Sequence, residues 1–119
     1  MDNLREIFEE KIEDLNYLPN GWIKTFVPKF KDELFAALGQ YVKNFVVLDC
    51  KEKYGMFRLY WSLVDMDYNE SNELYLIIES IIHKYEKMSY ETCMVCGAYT
   101  FSRSYELPLC NNCHPYDVI

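Results

Sequence analysis

The sequence predicts an α+β fold: two N-terminal helices, a β-hairpin, a third helix packed on it, and a C-terminal zinc-ribbon or zinc-knuckle module. Three observations predict it. Apolar residues recur at helical spacing over residues 3–18, 25–38 and 72–89. The stretch 45–63 turns to β-branched, aromatic and alternating residues. Two Cys-x-x-Cys pairs then stand near the C-terminal end. Residues 1–90 are expected to form the α+β core and residues 91–119 the metal-binding module.

In the first segment Leu4, Ile7, Phe8, Ile12 and Leu15 share one helical face, with Asp2 or Asn3 as cap and Glu6 suited to the helix dipole. Pro19-Asn20-Gly21 is expected to end this helix, and Trp22 and Ile23 to anchor the next. Thr25 is the expected N-cap of the second helix, because Pro28 is tolerated only in a first turn. Phe26, Phe30, Leu34, Ala37 and Leu38 form its buried stripe, Lys24, Lys29, Lys31 and Asp32 face water, and Gly39 caps the end.

Phe45-Val46-Val47-Leu48 reads as a strand too short for a helix. A turn through Lys51–Gly55 returns the chain into Phe57, Leu59, Trp61 and Leu63, which alternate with Arg58, Tyr60 and Ser62. Residues 65–71 are polar and read as a loop. Ser71 or Asn72 can then cap a third helix, with Leu74, Ile77, Ile78, Ile81, Ile82, Tyr85 and Met88 facing inward.

Half of the 119 residues are hydrophobic and 17% are aromatic, enough for a sizeable core. The formal charge is −7, from 12 basic and 19 acidic side chains. That balance argues against a general duplex-DNA binder, which needs cations to displace counterions. The charge is segregated: residues 1–21 carry −4, residues 22–63 carry +3, and residues 64–92 carry −5. No basic-then-apolar leader opens the chain, and no apolar run approaches the roughly 18 residues of a bilayer span. A cytoplasmic, non-membrane protein is expected, since free thiols at metal spacing suit a reducing compartment.

Cys93-Met94-Val95-Cys96 and Cys110-Asn111-Asn112-Cys113 are separated by thirteen residues. Two tight turns at this spacing present four soft thiolates to one tetrahedral Zn2+. Gly97 suits the first turn because it accepts positive φ. His114 is the alternative to Cys113 as fourth ligand. Four protein ligands leave no open position for water, so the zinc is expected to be structural. Six residues follow Cys113, too few for the helix of a treble clef. Tyr99, Phe101, Tyr105, Leu107 and Leu109 supply small-hairpin packing.

Other chemistry is thin. Cys50 beside Asp49 and Lys51 is a candidate nucleophile but more simply a small buried thiol. His83 lacks an identifiable Ser or Cys partner. Asp65, Asp67, Asn69 and Glu70 miss the glycine and terminal Glu of a calcium loop. Lys51, Lys53, Tyr54, Arg58 and Tyr60 form a candidate interaction surface, basic and aromatic together. No catalytic constellation is identified.

Three pieces occur in order: Gly21-Trp22 ahead of a helix, Lys51-Glu52-Lys53-Tyr54-Gly55-Met56-Phe57-Arg58-Leu59-Tyr60, and the two cysteine pairs with Gly97 and Leu109. In this order the chain resembles small uncharacterised proteins of bacteriophages and bacterial accessory regions that end in a zinc-ribbon-like, four-cysteine site. The likeness covers roughly residues 20–113. It brings no activity with it. What it implies is a viral or accessory role, in which a small acidic protein binds a host factor. The expected function is therefore a non-enzymatic, zinc-stabilised interaction module that binds a host defence or nucleic-acid-processing protein. The alternative is a nucleic-acid-associated accessory protein using the zinc module and the basic hairpin.

Overall fold

A computed structural model describes residues 3–100, 103–104 and 107–113. Helix and sheet are mixed in it, as expected. Asn3 caps α1 (Leu4–Lys11), its side chain accepting from Glu6 N at 3.2 Å. The expected helix over 3–18 stops early, however, and a 3₁₀ helix follows at Glu13–Tyr17. The reason lies in the apolar spacing. Ile12, Leu15 and Leu18 are each three residues apart and all buried. A 3₁₀ helix stacks such residues in line, whereas an α-helix would fan them across its surface.

Pro19-Asn20-Gly21 does not end a helix but begins one, α2 (Asn20–Thr25). Thr25 is at its end and does not cap α3 (Val27–Leu38), a correction to the sequence reading. The chain bends at Phe26 (φ −122°, ψ −18°) because Pro28, at the start of α3, has no N–H for the preceding turn. Val27, Phe30, Leu34 and Leu38 form the buried line of α3. Gly39 ends it at φ +50°. Lys31 is mostly covered rather than facing water, since its Nζ lies 3.1 Å from Glu9 on α1.

After a 3₁₀ turn (Gly39–Asn44), β1 (Phe45–Lys53) and β2 (Met56–Leu63) form an antiparallel hairpin. Tyr54 and Gly55, both at positive φ, are its two-residue turn. The register slips between Val47 and Asp49, making Leu48 an extra, exposed residue. This bulge resets the alternation. Phe45 and Val47 before it, and Cys50 and Glu52 after it, pair with Leu63, Trp61, Leu59 and Phe57 of β2.

α4 (Tyr68–Ser89) lies against α3 and β2. It starts four residues earlier than expected. Ser71 is inside the helix, its N–H bonded to Asp67 O and its hydroxyl donating to Tyr68 O. Leu74, Ile78, Ile82, Tyr85 and Ser89 are buried. Ile77 and Met88, expected inside, are exposed, and Ile81 is half-buried. One helix wall and one strand cover a narrower stripe than the sequence offers.

Phe26, Phe30, Phe57 and Tyr85 meet at the centre. The Phe30 ring stands 5.3 Å from Phe57, edge to face, and 5.2 Å from Tyr85. Such pairings add to the burial of these large side chains. The short strands β3 (Arg103–Ser104) and β4 (Leu107–Pro108) pair beyond α4. Cys93, Met94 and Leu109 belong to the same buried cluster as the helices.

Candidate metal centre

The two cysteine pairs come together. The sulfurs of Cys93, Cys96, Cys110 and Cys113 all lie within 4.8 Å of one another. Cys96 Sγ is 3.6 Å from Cys110 Sγ, which is 3.5 Å from Cys113 Sγ. Four sulfurs at the usual zinc distance from a common centre stand about 3.8 Å apart. Disulfide sulfurs would be at about 2.05 Å, and all four are free thiols here. The group is placed to hold one metal ion.

Backbone bonds build the two halves. In the first, Cys93 N donates to Ala98 O at 2.8 Å and Gly97 N to Cys93 O at 3.0 Å, with Gly97 at φ +83°. Thr92 bridges to Tyr99. In the second, Cys113 N donates to Cys110 O at 3.2 Å. Met94 N ties the halves together by donating to Pro108 O at 3.0 Å, and Thr100 Oγ1 donates to Leu109 O at 3.3 Å. Leu109 is buried beneath, while Tyr99, expected to pack, is exposed. Phe101, Tyr105 and the alternative ligand His114 lie outside the described residues.

The thiols are electrostatically unequal. Burial opposes ionisation of Cys93, but the N–H groups of Cys96, Cys110 and Val95 converge on its sulfur and bring it down to about 6. For Cys96, the Ala98 N–H favours the thiolate, but burial and the Cys110 and Cys93 thiols outweigh it and raise the group. Cys113 is pushed up by burial and by its three sulfur neighbours. Crowded thiols that resist ionising together are the setting in which one cation at the centre has most effect, because it reverses that balance.

Cys50 differs. Half-buried on β1, it is pushed up to about 12 by burial, Asp14 and Asp49, which disfavours the reactive thiolate. His83 lies exposed in a shallow groove on α4 with Leu76, Glu79 and Ser80.

The five hairpin residues gather at one side and one end of the sheet. Lys51 pairs across the strands with Arg58, and Asp49 with Tyr60. Lys51 Nζ lies 3.0 Å from Asp49 Oδ2, lowering the carboxyl and raising the amine. Lys53 Nζ is 5.9 Å from the centre of the Tyr54 ring, and Tyr54 itself is 78% exposed.

Two residues near the metal group escaped the sequence reading. Gly21 N donates to Met94 O at 2.8 Å, and Thr25 Oγ1 donates to Gly97 O at 3.2 Å. A glycine two residues after a proline looks like a turn, and nothing local marks it as a contact point.

The chain matches no family model, no curated protein and no solved structure. The resemblance to phage and accessory proteins therefore rests on its quoted residues, of which the four-cysteine group is present as a candidate metal site. Among the described residues, no helix is long and apolar enough to cross a membrane.

Proposed function

We propose that the protein is a non-enzymatic binding module that one structural Zn2+ stabilises, and that it docks a protein partner through the outer side of its hairpin. The four sulfurs within 4.8 Å of one another carry the first half of this reading. Zinc is the metal that four thiolates with tetrahedral spacing favour. The parts 1–90 and 91–119 then act as a body and its metal-closed tail.

Support for the second half comes from the hairpin. Lys51, Lys53 and Arg58 accompany the exposed rings of Tyr54 and Tyr60. Aromatic anchors beside cations suit an acidic protein surface, where the charges steer encounter and the rings are desolvated. The surrounding chain is acidic, so it repels nucleic acid outside this one patch. That the partner is a host protein and the chain a phage or accessory product follows by analogy from the resemblance alone.

Elemental analysis of protein purified without added metal should return one zinc per chain. With the partner isolated on tagged protein, Lys51→Glu with Arg58→Glu should abolish its binding and leave zinc content and melting temperature unchanged. Unchanged binding would remove the hairpin from the reading. The same basic and aromatic residues favour single-stranded nucleic acid as the second reading. Affinity for an oligonucleotide that falls steeply with salt would establish it.

A further inference from the structure

The turn of residues 93–97 and the start of α2 interlock backbone against backbone. Gly21 N donates to Met94 O at 2.8 Å, and the buried Trp22 Nε1 donates to Thr92 O at 3.0 Å. Thr25 Oγ1 donates to Gly97 O at 3.2 Å. Three residues of one helix thus hold three carbonyls in and beside one cysteine turn. Neither side has room to spare. A Cβ on Gly21 would collide with Cys93 O and stand 2.7 Å from Gly97 N and from the Met94 carbonyl carbon. A Cβ on Gly97 would collide with Thr25 Oγ1 and stand 2.7 Å from Gly21 O.

From this contact the structure assigns Gly21, Trp22 and Thr25 as the outer wall of the metal site, so that metal binding and the seating of α2 form one coupled equilibrium. The inference rests on the reading of Cys93, Cys96, Cys110 and Cys113 as a metal site. Groups outside the ligands that fix a metal site's backbone shape its affinity as the ligands themselves do. Here the fixing group is a helix of six residues, too short to persist without its surroundings.

The coupling runs in both directions. An ion joining Cys93 and Cys96 to Cys110 and Cys113 holds the 93–97 turn in the shape that meets α2. Without it, the turn keeps its hydrogen bonds to α2 and to Pro108 but loses the tie through the four sulfurs, and the wall behind Trp22 loosens. Trp22 leads into the core, its ring 5.9 Å from Phe26, whose ring is 6.2 Å from Phe57. Linkage then requires any change in α2 that spoils the contact to weaken metal binding by the same factor. A self-contained tail would show neither effect.

The test uses the full chain with Trp61→Phe, which leaves Trp22 as the single tryptophan. Zinc is removed with a chelator and returned by titration, its content followed by elemental analysis. The expected result is that Trp22 emission shifts to the red and acrylamide quenching rises about twofold or more as the ion leaves, both reversing on its return. Thr25→Val should weaken zinc binding about fivefold in competition with a chromophoric chelator, the loss of one hydrogen bond. Gly21→Ala should weaken it more.

If Gly21→Ala does not fold, Thr25→Val carries the comparison. Zinc leaving and returning with Trp22 emission and quenching unchanged would overturn the coupling while leaving the metal site intact. So would wild-type zinc affinity in Thr25→Val. If no stoichiometric metal binds at all, the metal reading fails first, and this inference with it.

Discussion

The Ser89 hydroxyl accepts a hydrogen bond from Phe57 N at 2.9 Å and donates one to Glu86 O at 2.6 Å. One side chain in the last turn of α4 thereby closes the outer edge of β2. Two residues along, Leu59 N meets Glu86 Oε2 at 3.4 Å. A two-stranded hairpin is marginal in water and presents unpaired edges. Here the helix satisfies one edge with its side chains as well as covering the inner face. The arrangement also fixes how far along the hairpin α4 sits, and so where the chain leaves it for the cysteine turn.

Ser89→Ala tests this directly. Phe57 is buried, so its N–H would lose its partner with no water to replace it. The expected loss is about 1–3 kcal/mol in urea unfolding at fixed zinc concentration. A loss within error of zero would show that the edge does not depend on this hydroxyl.

Glu86 yields a pH dependence. Burial raises its carboxyl, against the Leu59 N–H and the charges of Arg58 and His83. Its folded value is thus above its unfolded one, and the folded state holds the proton more tightly. The contribution of this group to stability is greatest below the unfolded value, about 4.3, and is lost as pH rises through the folded value. Glu86→Gln keeps an acceptor for Leu59 N and removes the buried charge. Its melting temperature should equal or exceed that of the parent at pH 7.5, with the difference vanishing towards pH 4.5. Glu86→Leu, which loses the acceptor, should melt lower. A Gln variant less stable than the Leu variant at pH 7.5 would reverse the argument.

These edge contacts show where sequence reading stops. The four-cysteine group was legible because its residues announce themselves by identity and spacing, and the hairpin because Gly55 and the Phe57–Leu63 alternation are local signals. Ser89 and Glu86 carry no such mark. Either would suit a helix end facing water, and only the angle between α4 and β2 gives them partners. Gly21 misled for a similar reason: its local meaning was a helix stop, but its place was set by a turn far along the chain. The break at Ile12 was hidden because three-residue spacing is compatible with both helix types over a short run. Burial then chose the tighter one.

Tyr54 occupies a position that favours another residue. Its φ of +55° in the two-residue turn is adopted at little cost by Asn and at about 1 kcal/mol by bulkier side chains. Tyr54→Asn should therefore stabilise the chain by about 0.5–1 kcal/mol in urea unfolding, less the weak contact with Lys53. The same substitution should weaken partner binding if the exposed ring is an anchor. A more stable variant with undiminished binding would remove Tyr54 from the proposed surface.

The five cysteines should separate by reactivity. In zinc-loaded protein the four sulfurs of the metal group are bound and slow to alkylate. Once a chelator removes the ion, thiols of this group open to iodoacetamide. Cys50 should not follow them. With its thiol pushed up to about 12, only about one molecule in ten thousand is thiolate at pH 8, against roughly a quarter for an ordinary cysteine. Its alkylation should be slower than that of a free thiol by a factor on the order of a thousand. Intact-mass spectrometry over a time course should show additions appearing only after chelation, with peptide mapping placing them within the four-cysteine group and none on Cys50. Early labelling at Cys50 in the zinc-loaded protein would mean that its thiol is ionised and open, and would restore it as a candidate nucleophile.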